Sequence, residues 1–175
     1  MGELYNFLKD AGVWFLATDE DGQPHVRPIG TELIYNDKLY FQTGLKKKMA
    51  QQLLKNPKIE ITAVKGDRWV RVQAEAVHDP DEDVQGAMLD AFPELKEMYA
   101  VGDGNTACFY LKNAIATFCS FTESPYTVKF LVELYNAYSS FFKQIVGSFV
   151  SKEAAFIFNL QKENDSLDDT YHVRL

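Results

Sequence analysis

The stretch 58–77 constrains the fold most, because it contains two runs of strand-forming residues joined by a short turn. Polar and apolar side chains alternate in "KIEITAV" and "RWVRVQAEAV", and Lys65-Gly66-Asp67 separates the two runs. On the second run, Val70, Val72, Ala74 and Ala76 share one face, whereas Trp69, Arg71, Gln73 and Glu75 share the other. Such alternation is typical of a strand with one buried face. The pattern predicts an antiparallel hairpin that covers a core.

Other extended runs surround this hairpin. "GVWFLAT" (12–18) precedes a turn, and "HVRPIGTELIY" (25–35) is interrupted by Pro28 and Gly30. Because proline has no N–H to donate, Pro28 predicts a sheet edge or a bulge. "NDK" (36–38) predicts a tight turn into "LYFQT", and residues 106–121 predict a third hairpin that turns at Asn113-Ala114.

Two segments with helical periodicity interrupt the strands. The first, about 46–56, places Met49, Ala50, Leu53 and Leu54 on one face. The second, about 81–99, begins with "DPDED", carries Val84, Met88, Leu89 and Phe92 inward, and is expected to kink at Pro93. Six or seven short strands with two inserted helices predict a mainly β fold, a small antiparallel barrel with peripheral helices.

From about residue 131 the composition changes. Apolar residues recur at 131, 134, 135, 138, 141, 142, 145, 146 and 149, which is the pattern of an amphipathic helix. We therefore expect a domain over 1–130 and a C-terminal helical extension over 131–175, whose role the sequence does not reveal. The extension is expected to cover either its own barrel or a partner, and our hypothesis is that it packs across a dimer.

The charge balance excludes several classes of partner. The chain has 18 Lys+Arg against 25 Asp+Glu, a formal charge of −7 and a pI near 5.0. This balance argues against nucleic acid and anionic membranes as partners. No apolar run reaches the ~18 residues of a membrane span, and "MGELYNFLKD" lacks the features of a secretory signal. We expect a cytoplasmic protein.

The cysteines and histidines do not form a metal-binding motif. Cys108 and Cys119 lack a CxxC spacing, and His25, His78 and His172 are scattered, so no metal site is predicted. Two buried, reduced thiols are the simpler interpretation. An oxidation-linked pair is the alternative, since the predicted turn at 113–114 would make the cysteines face each other.

Three consecutive lysines follow a Thr-Gly step where a strand is predicted to end and a helix to begin. In "YFQTGLKKKMAQQL" (40–53) they occupy the helix start, which carries partial positive charge. Each such lysine costs roughly 0.3–1 kcal/mol, or ~1–3 kcal/mol together. One interpretation is a bound phosphate, held by free N–H groups, the Thr43 hydroxyl, Lys47 and Lys48, with Gly44 allowing close approach. The other is a solvated lysine cluster on a helix with a different start.

The order of several segments resembles the pyridoxamine 5′-phosphate oxidase-related family, the FMN-binding split barrels. The resemblance extends over about residues 1–130, and it is strongest to short bacterial members grouped with nitroimidazole-resistance proteins. It rests on segments listed here in chain order: "GVWFLATDEDGQPHVRPIG", "KLYFQTGLKKKMAQQLLKNPKIEI", "RWVRVQAEAV", "FYLKNAIATFCSF" and "TVKF".

The resemblance implies a homodimer with two FMN sites at its interface. It implies that the "RPIG" segment, with Arg27, Pro28 and Ile29, lies along the isoalloxazine ring, and that the partner subunit contributes residues like Trp69 and Arg71. The phosphate would lie at the turn that contains Gln42, Thr43, Gly44, Lys47 and Lys48. Gly44 departs from the Asn or Ser common there, and Met49 stands where larger relatives often have another base.

Residue chemistry alone leaves two of these assignments open. Arg27 also fits a surface ion pair with an acid such as Glu32, and Trp69 also fits core or interface packing.

The resemblance also implies an FMN-dependent oxidoreductase acting on a small molecule, with no catalytic residue identifiable. It is not the oxidase proper, since 131–175 lacks the Arg- and Trp-containing segment that grips substrate phosphate there. A non-catalytic flavin-binding or redox-sensing protein is the main alternative. A split barrel that binds haem or another ligand is a third, which the poor set of histidines disfavours.

Overall fold

The computed structural model describes residues 1–130, which form one antiparallel sheet of eight strands with helices packed on it. The predicted helical extension, 131–175, lies outside the described residues. The strands are β1 Trp14–Glu20, β2 Gln23–Ile29, β3 Leu33–Tyr35, β4 Lys38–Gly44, β5 Lys58–Lys65, β6 Arg68–Asp79, β7 Thr106–Ser120 and β8 Tyr126–Phe130. The helices are α1 Gly2–Ala11, α2 Lys48–Lys55 and α3 Glu82–Ala91, followed by a short 3₁₀ segment, Pro93–Glu97.

The sheet order is β2-β1-β5-β6-β7-β4-β3, and β8 also pairs with β7. One side of β7 is shared by two strands: β4 pairs with Thr106–Tyr110, and β8 pairs with Ala114–Phe118. The mainly β, antiparallel prediction is therefore confirmed.

Two hairpins close through two-residue turns with left-handed backbone. Asp21 and Gly22 have φ of 55° and 86°, and Asn36 and Asp37 have 47° and 61°. Positive φ at both positions is the signature of a type I′ turn, whose twist matches that of the strands. The predicted turn at 36–38 is confirmed, as is the β5–β6 hairpin.

The main core is apolar. Leu16, Phe41, Ile61, Val72 and Phe109 are at most 1% exposed. Two helices cover it, α1 through Leu4 and Leu8 and α2 through Met49, Ala50 and Leu53. On β6 the predicted alternation is confirmed: Val70, Val72 and Ala76 are buried, whereas Arg71 and Gln73 are exposed. A smaller cluster of Tyr40, Val84, Met88 and Cys108 packs α3 on the other face of β4 and β7.

The predicted hairpin over 106–121 is wrong, because β7 is one strand of 15 residues. Asn113 has φ of 54°, and the register with β6 shifts between Gln73 and Glu75. A local irregularity thus replaces the turn. Cys108 and Cys119 do not face each other: Cys108 lies opposite Gln42 and Cys119 opposite Trp69, and both are free thiols.

The helices differ from prediction in three respects. Leu54 on α2 is 51% exposed, so it does not belong to the buried face. The helix expected over 81–99 ends at Ala91, because Phe92 leaves helical geometry before Pro93. Helix α1 was not predicted, although Leu4, Phe7 and Leu8 have helical spacing.

The edge predicted for Pro28 is confirmed, and the bulge is not found. Strand β2 ends the sheet order, and its register with β1 runs without a shift from Trp14–Ile29 to Glu20–Gln23.

Candidate functional site

The segment Gly44–Lys48, called the lysine turn below, connects β4 to α2 as predicted. Strand β4 ends at Gly44, and α2 begins at Lys48 with Lys47 as its N-cap residue. The side chains of Lys46, Lys47 and Lys48 are exposed. The first turn of α2 contains no acidic residue, so the lysines face the positive helix end without local neutralisation.

The backbone donors of the lysine turn divide into two groups. The N–H groups of Leu45 and Lys46 donate to the backbone oxygen and Oδ1 of Asn105 (2.7 and 3.1 Å), and that of Lys47 donates to the Gly44 carbonyl (3.0 Å). No side chain caps α2. The donors available to an anion are therefore those of the first helical turn, beginning at Lys48.

Gln42 supplies a second polar feature next to the turn. Its residue is 6% exposed, and both of its buried amide atoms lack a hydrogen-bond partner within residues 1–130. An unsatisfied buried group costs about 1–3 kcal/mol. Two residues before Gly44, Gln42 shares its face of β4. A ligand or water that satisfies this amide would recover that cost.

Gly44 packs closely against the side chains of Asn105 and Tyr99. A Cβ built there would be 3.2 Å from both Asn105 Oδ1 and the Tyr99 hydroxyl. The Tyr99 ring also lies below the Lys47 ammonium, 5.8 Å from Nζ to the ring centroid. Sequence reasoning missed Tyr99 and Asn105 because they follow α3, more than 50 residues along the chain. The close packing is a physical reason for glycine where Asn or Ser was expected.

Arg27 is held beside α2 by a polar network. Its guanidinium donates to Thr18 Oγ1 (2.6 Å), the His25 carbonyl (3.3 Å) and Gln52 Oε1 (2.5 Å). The buried Gln52 also accepts from Thr18 (2.8 Å) and donates to Glu20 (2.8 Å). The alternative ion pair with Glu32 is not formed, because Glu32 accepts instead from the Trp14 indole (3.1 Å).

This network relates Arg27 to the lysine turn. Gln52 and Lys48 are four residues apart on α2, and side chains at that spacing are neighbours on a helix surface. The structure therefore places Arg27 against Gln52 of α2, the helix that begins at Lys48, whereas Thr43 and Gly44 end the strand before that helix. Pro28 is exposed on the opposite face of β2 from Arg27, and Ile29 is buried in the core.

Trp69 and Arg71 lie elsewhere on the chain. They occupy the outer face of β6, where Trp69 packs on Phe121 with a centroid distance of 5.1 Å and Arg71 is exposed. Trp69 pairs with Cys119, near the end of β7, whereas Gly44 pairs with Thr106 at its beginning. At ~3.3 Å per residue, the 15 residues of β7 extend up to about 50 Å.

A groove of about 450 Å³ does not coincide with the lysine turn. It lies on β1, β5, β6 and β7, and its charged lining is mostly acidic: Asp19, Glu60 and Glu75 accompany Lys58. An acidic lining repels phosphate. The chemistry of the groove therefore differs from that of the lysine turn.

The described residues suggest neither a reactive thiol nor a metal centre. Burial, with a smaller contribution from Asp79, raises the pKa of the Cys108 thiol to about 12, so it stays protonated at neutral pH. Within residues 1–130, no three His, Cys, Asp or Glu side chains are grouped to hold a metal. No helix in that range is long and apolar enough to cross a membrane.

Comparison with known proteins agrees with this fold. The family model described as pyridoxamine 5′-phosphate oxidase matches residues 2–110. The chain belongs to that family, the FMN-binding split barrels. Among curated proteins, none matches the chain.

Comparison with solved structures also supports the fold. A NimC/NimA family protein from Clostridium acetobutylicum is 38% identical, with a TM-score of 0.72, and the match covers 74% of this chain and 92% of that one. General Stress Protein 26 from Bacillus anthracis str. Sterne is 15% identical (TM-score 0.59; 74% and 97% covered). A heme binding protein from Mycobacterium smegmatis is 14% identical (TM-score 0.55; 70% and 57% covered). The last two likenesses support the fold alone.

Proposed function

We propose that this chain is an FMN-dependent oxidoreductase for a small molecule, working as a homodimer, with the FMN phosphate at the lysine turn. The observation that carries the proposal is a convergence: an uncapped helix start, three exposed lysines and the unpartnered amide of Gln42 all lie at the end of β4. Each feature alone is unfavourable for folding. A bound anion offsets the first two of these costs.

The energies favour a ligand over a solvated lysine cluster. The lysines cost roughly 1–3 kcal/mol at the helix start, and the Gln42 amide costs about 1–3 kcal/mol more. A charge-assisted hydrogen bond contributes roughly 1.5–3 kcal/mol. Two or three such bonds to a phosphate therefore exceed the cost of the lysines at the helix start.

Arg27 extends this anion site toward a larger ligand. Held by Thr18 and Gln52, Arg27 offers a fixed positive charge on the flank of α2. When bound, a flavin accepts and returns electrons, and its reduced ring carries negative charge. A fixed guanidinium nearby stabilises that charge. The protein's part is to bind, orient and polarise the cofactor.

The separation of the site residues supports a second copy of the chain. Trp69 and Arg71 lie toward the other end of β7 from the lysine turn, which supports contributions from two protomers to one mononucleotide. Two copies related by a twofold axis would combine the lysine turn of one with the β6 face of the other. The outer face that holds Trp69 also exposes Phe15 (44%) and Val64 (63%), as an interface requires.

The test compares two ligands that differ by the phosphate. Lys47→Glu combined with Lys48→Glu is expected to weaken FMN binding by at least tenfold and to leave riboflavin binding nearly unchanged, because only FMN carries phosphate. Isothermal titration and flavin fluorescence quenching measure both affinities.

A matched control keeps the net charge change. Lys9→Glu combined with Lys96→Glu reverses two exposed lysines on other elements and is expected to leave both affinities intact. Equal losses of FMN and riboflavin would refute the phosphate assignment. Wild-type protein that binds no flavin, or binds haem instead, would refute the proposed function.

The alternative, a flavin-binding protein without turnover, is distinguished by electron transfer. An oxidoreductase should be reduced by NADH, NADPH or another donor and reoxidised by a small-molecule acceptor. Bound flavin that no donor or acceptor exchanges with would favour the non-catalytic protein.

A further inference from the structure

A second loop, Tyr99–Asn105, lies against the lysine turn and forms two bonds with its backbone. The carbonyl oxygen of Asn105 accepts from the Leu45 N–H (2.7 Å), and its Oδ1 accepts from the Lys46 N–H (3.1 Å). The regular β4–β7 ladder ends at Gly44 and Thr106. Asn105 thus continues the pairing by one residue, with its side chain supplying the second acceptor.

Hydrogen bonds between its own residues stabilise the loop. The Asp103 carboxylate accepts from the N–H groups of Ala100 (3.1 Å), Asn105 (2.7 Å) and Thr106 (2.6 Å). These donors lower the pKa of Asp103 to about 2, so the carboxylate remains ionised at neutral pH. The Thr106 hydroxyl donates to the Ala100 carbonyl (2.9 Å). The loop therefore has a defined shape before any ligand arrives.

The loop also limits where the lysine turn can move. Asn105 Oδ1 and the Tyr99 hydroxyl both lie 3.2 Å from the position of a Gly44 Cβ, so a side chain there would push on both groups. Leu45 and Lys46 cannot leave without losing both bonds to Asn105. A turn of three like charges repels itself, and these bonds oppose that repulsion.

We propose that Asn105 is a positioning residue for the phosphate site: its two bonds to Leu45 and Lys46 fix the lysine turn before the ligand binds. The inference rests on the proposed function and adds a residue that touches the turn rather than the phosphate. Without the side-chain bond, the flexible turn must be ordered by the ligand itself, which reduces affinity.

The first experiment needs no flavin. Amide hydrogen exchange of the full chain should show slow exchange at Lys46 in the wild type and at least tenfold faster exchange in Asn105→Ala. Asn105→Asp, which keeps an acceptor oxygen, should retain slow exchange. Unchanged protection at Lys46 in Asn105→Ala would overturn the inference.

The second experiment uses FMN and riboflavin as probes. Asn105→Ala is expected to weaken FMN about five- to tenfold and riboflavin less than twofold. The matched control is Asn56→Ala at the other end of α2, which removes an equivalent bond from the Lys58 N–H to Asn56 Oδ1 (3.2 Å) and should leave the FMN-to-riboflavin ratio unchanged.

The outcomes separate the two claims. If the wild type binds no FMN, the proposed function fails, and the exchange experiment still tests the role of Asn105 in ordering the turn. If the wild type binds FMN and Asn105→Ala binds it equally well, the inference fails alone. Equal effects of Asn105→Ala and Asn56→Ala would show general destabilisation and would also overturn it.

Discussion

Glu32 is an acid buried in an apolar neighbourhood. It is 7% exposed, and the Trp14 indole donates to its Oε2 at 3.1 Å. Burial raises the pKa of Glu32 above its usual value near 4.5, while the bond from Trp14 and the charge of Lys9 only partly oppose the shift. The neutral form is therefore favoured in the folded chain relative to the unfolded one.

This shift predicts a pH-dependent stability. Because the folded-state pKa is raised, the contribution of Glu32 is fully present below the unfolded pKa and is lost as pH rises through the folded pKa. Glu32→Gln keeps an acceptor for Trp14 and removes the titration. We expect the variant to gain stability relative to the wild type as pH rises from about 4 to about 8.

Denaturant titrations followed by tryptophan fluorescence measure that difference. The variant and wild-type stabilities should converge at low pH and separate at high pH. Parallel pH profiles would show that Glu32 ionises as easily in the folded chain as in the unfolded one.

At the scale of elements, β7 shows how one residue replaces a turn. Asn113 adopts a left-handed φ of 54° in the middle of a strand, next to the register shift opposite Gln73 and Glu75. Asparagine tolerates this conformation better than most residues, and glycine tolerates it best. The same preference makes Asn-Ala resemble a hairpin turn in sequence.

Two substitutions test this conformation. Asn113→Val should lower the free energy of unfolding by about 1–2 kcal/mol, because a β-branched residue is strained at positive φ. Asn113→Gly, the matched variant, should change it by less than ~0.5 kcal/mol. Urea denaturation gives both values. If Asn113→Val left the free energy of unfolding unchanged, β7 would have relaxed to a regular strand.

Elements with strong local signals were predictable, and those that depend on distant contacts were not. Alternation in β6, the Asn36-Asp37 turn and the apolar face of α2 are local, and the structure confirms them. The continuity of β7 was hidden because it depends on two strands, β4 and β8, that share its edge. Helix α1 was missed although its apolar spacing was visible.

The residues of the candidate site also divide into those that the sequence indicates and those that only the fold identifies. Thr43, Gly44, Lys47 and Lys48 could be proposed from the sequence because they lie within six residues and the lysine charges are misplaced for a helix start. Asn105 and Gln52 were not found, since an amide side chain carries no charge and no spacing that identifies its partner. Only the fold brings Asn105 to Lys46 and Gln52 to Arg27.

At the scale of the whole molecule, one sheet face is suited to a second copy of the chain. Phe15, Thr62 and Arg71 lie opposite one another across β1, β5 and β6, and Val64 and Trp69 form the neighbouring pair. Val64 is 63% exposed and Phe15 is 44% exposed. Exposed apolar side chains grouped on one face are typical of an interface.

This arrangement predicts coupled effects on assembly and cofactor. Val64→Glu should shift the proposed homodimer toward monomer and reduce flavin retention, because a buried charge at an interface costs several kcal/mol. Met98→Glu is the control for assembly alone: its side chain is 65% exposed at the end of the 3₁₀ segment. Light scattering after size-exclusion chromatography gives the mass. A Val64→Glu protein that stays dimeric with full flavin content would assign the interface elsewhere.

Strand β2 has a free edge within residues 1–130, and its prolines decide what that edge can do. In an antiparallel pair, every second residue directs its N–H and C=O groups away from the partner strand. On β2 these residues are Pro24, Val26 and Pro28, which alternate with Gln23, His25, Arg27 and Ile29. Two of those three positions have no N–H, so a strand from another molecule would find a single N–H donor among them. The prolines thereby protect this border of the sheet from growing into fibrils by strand addition.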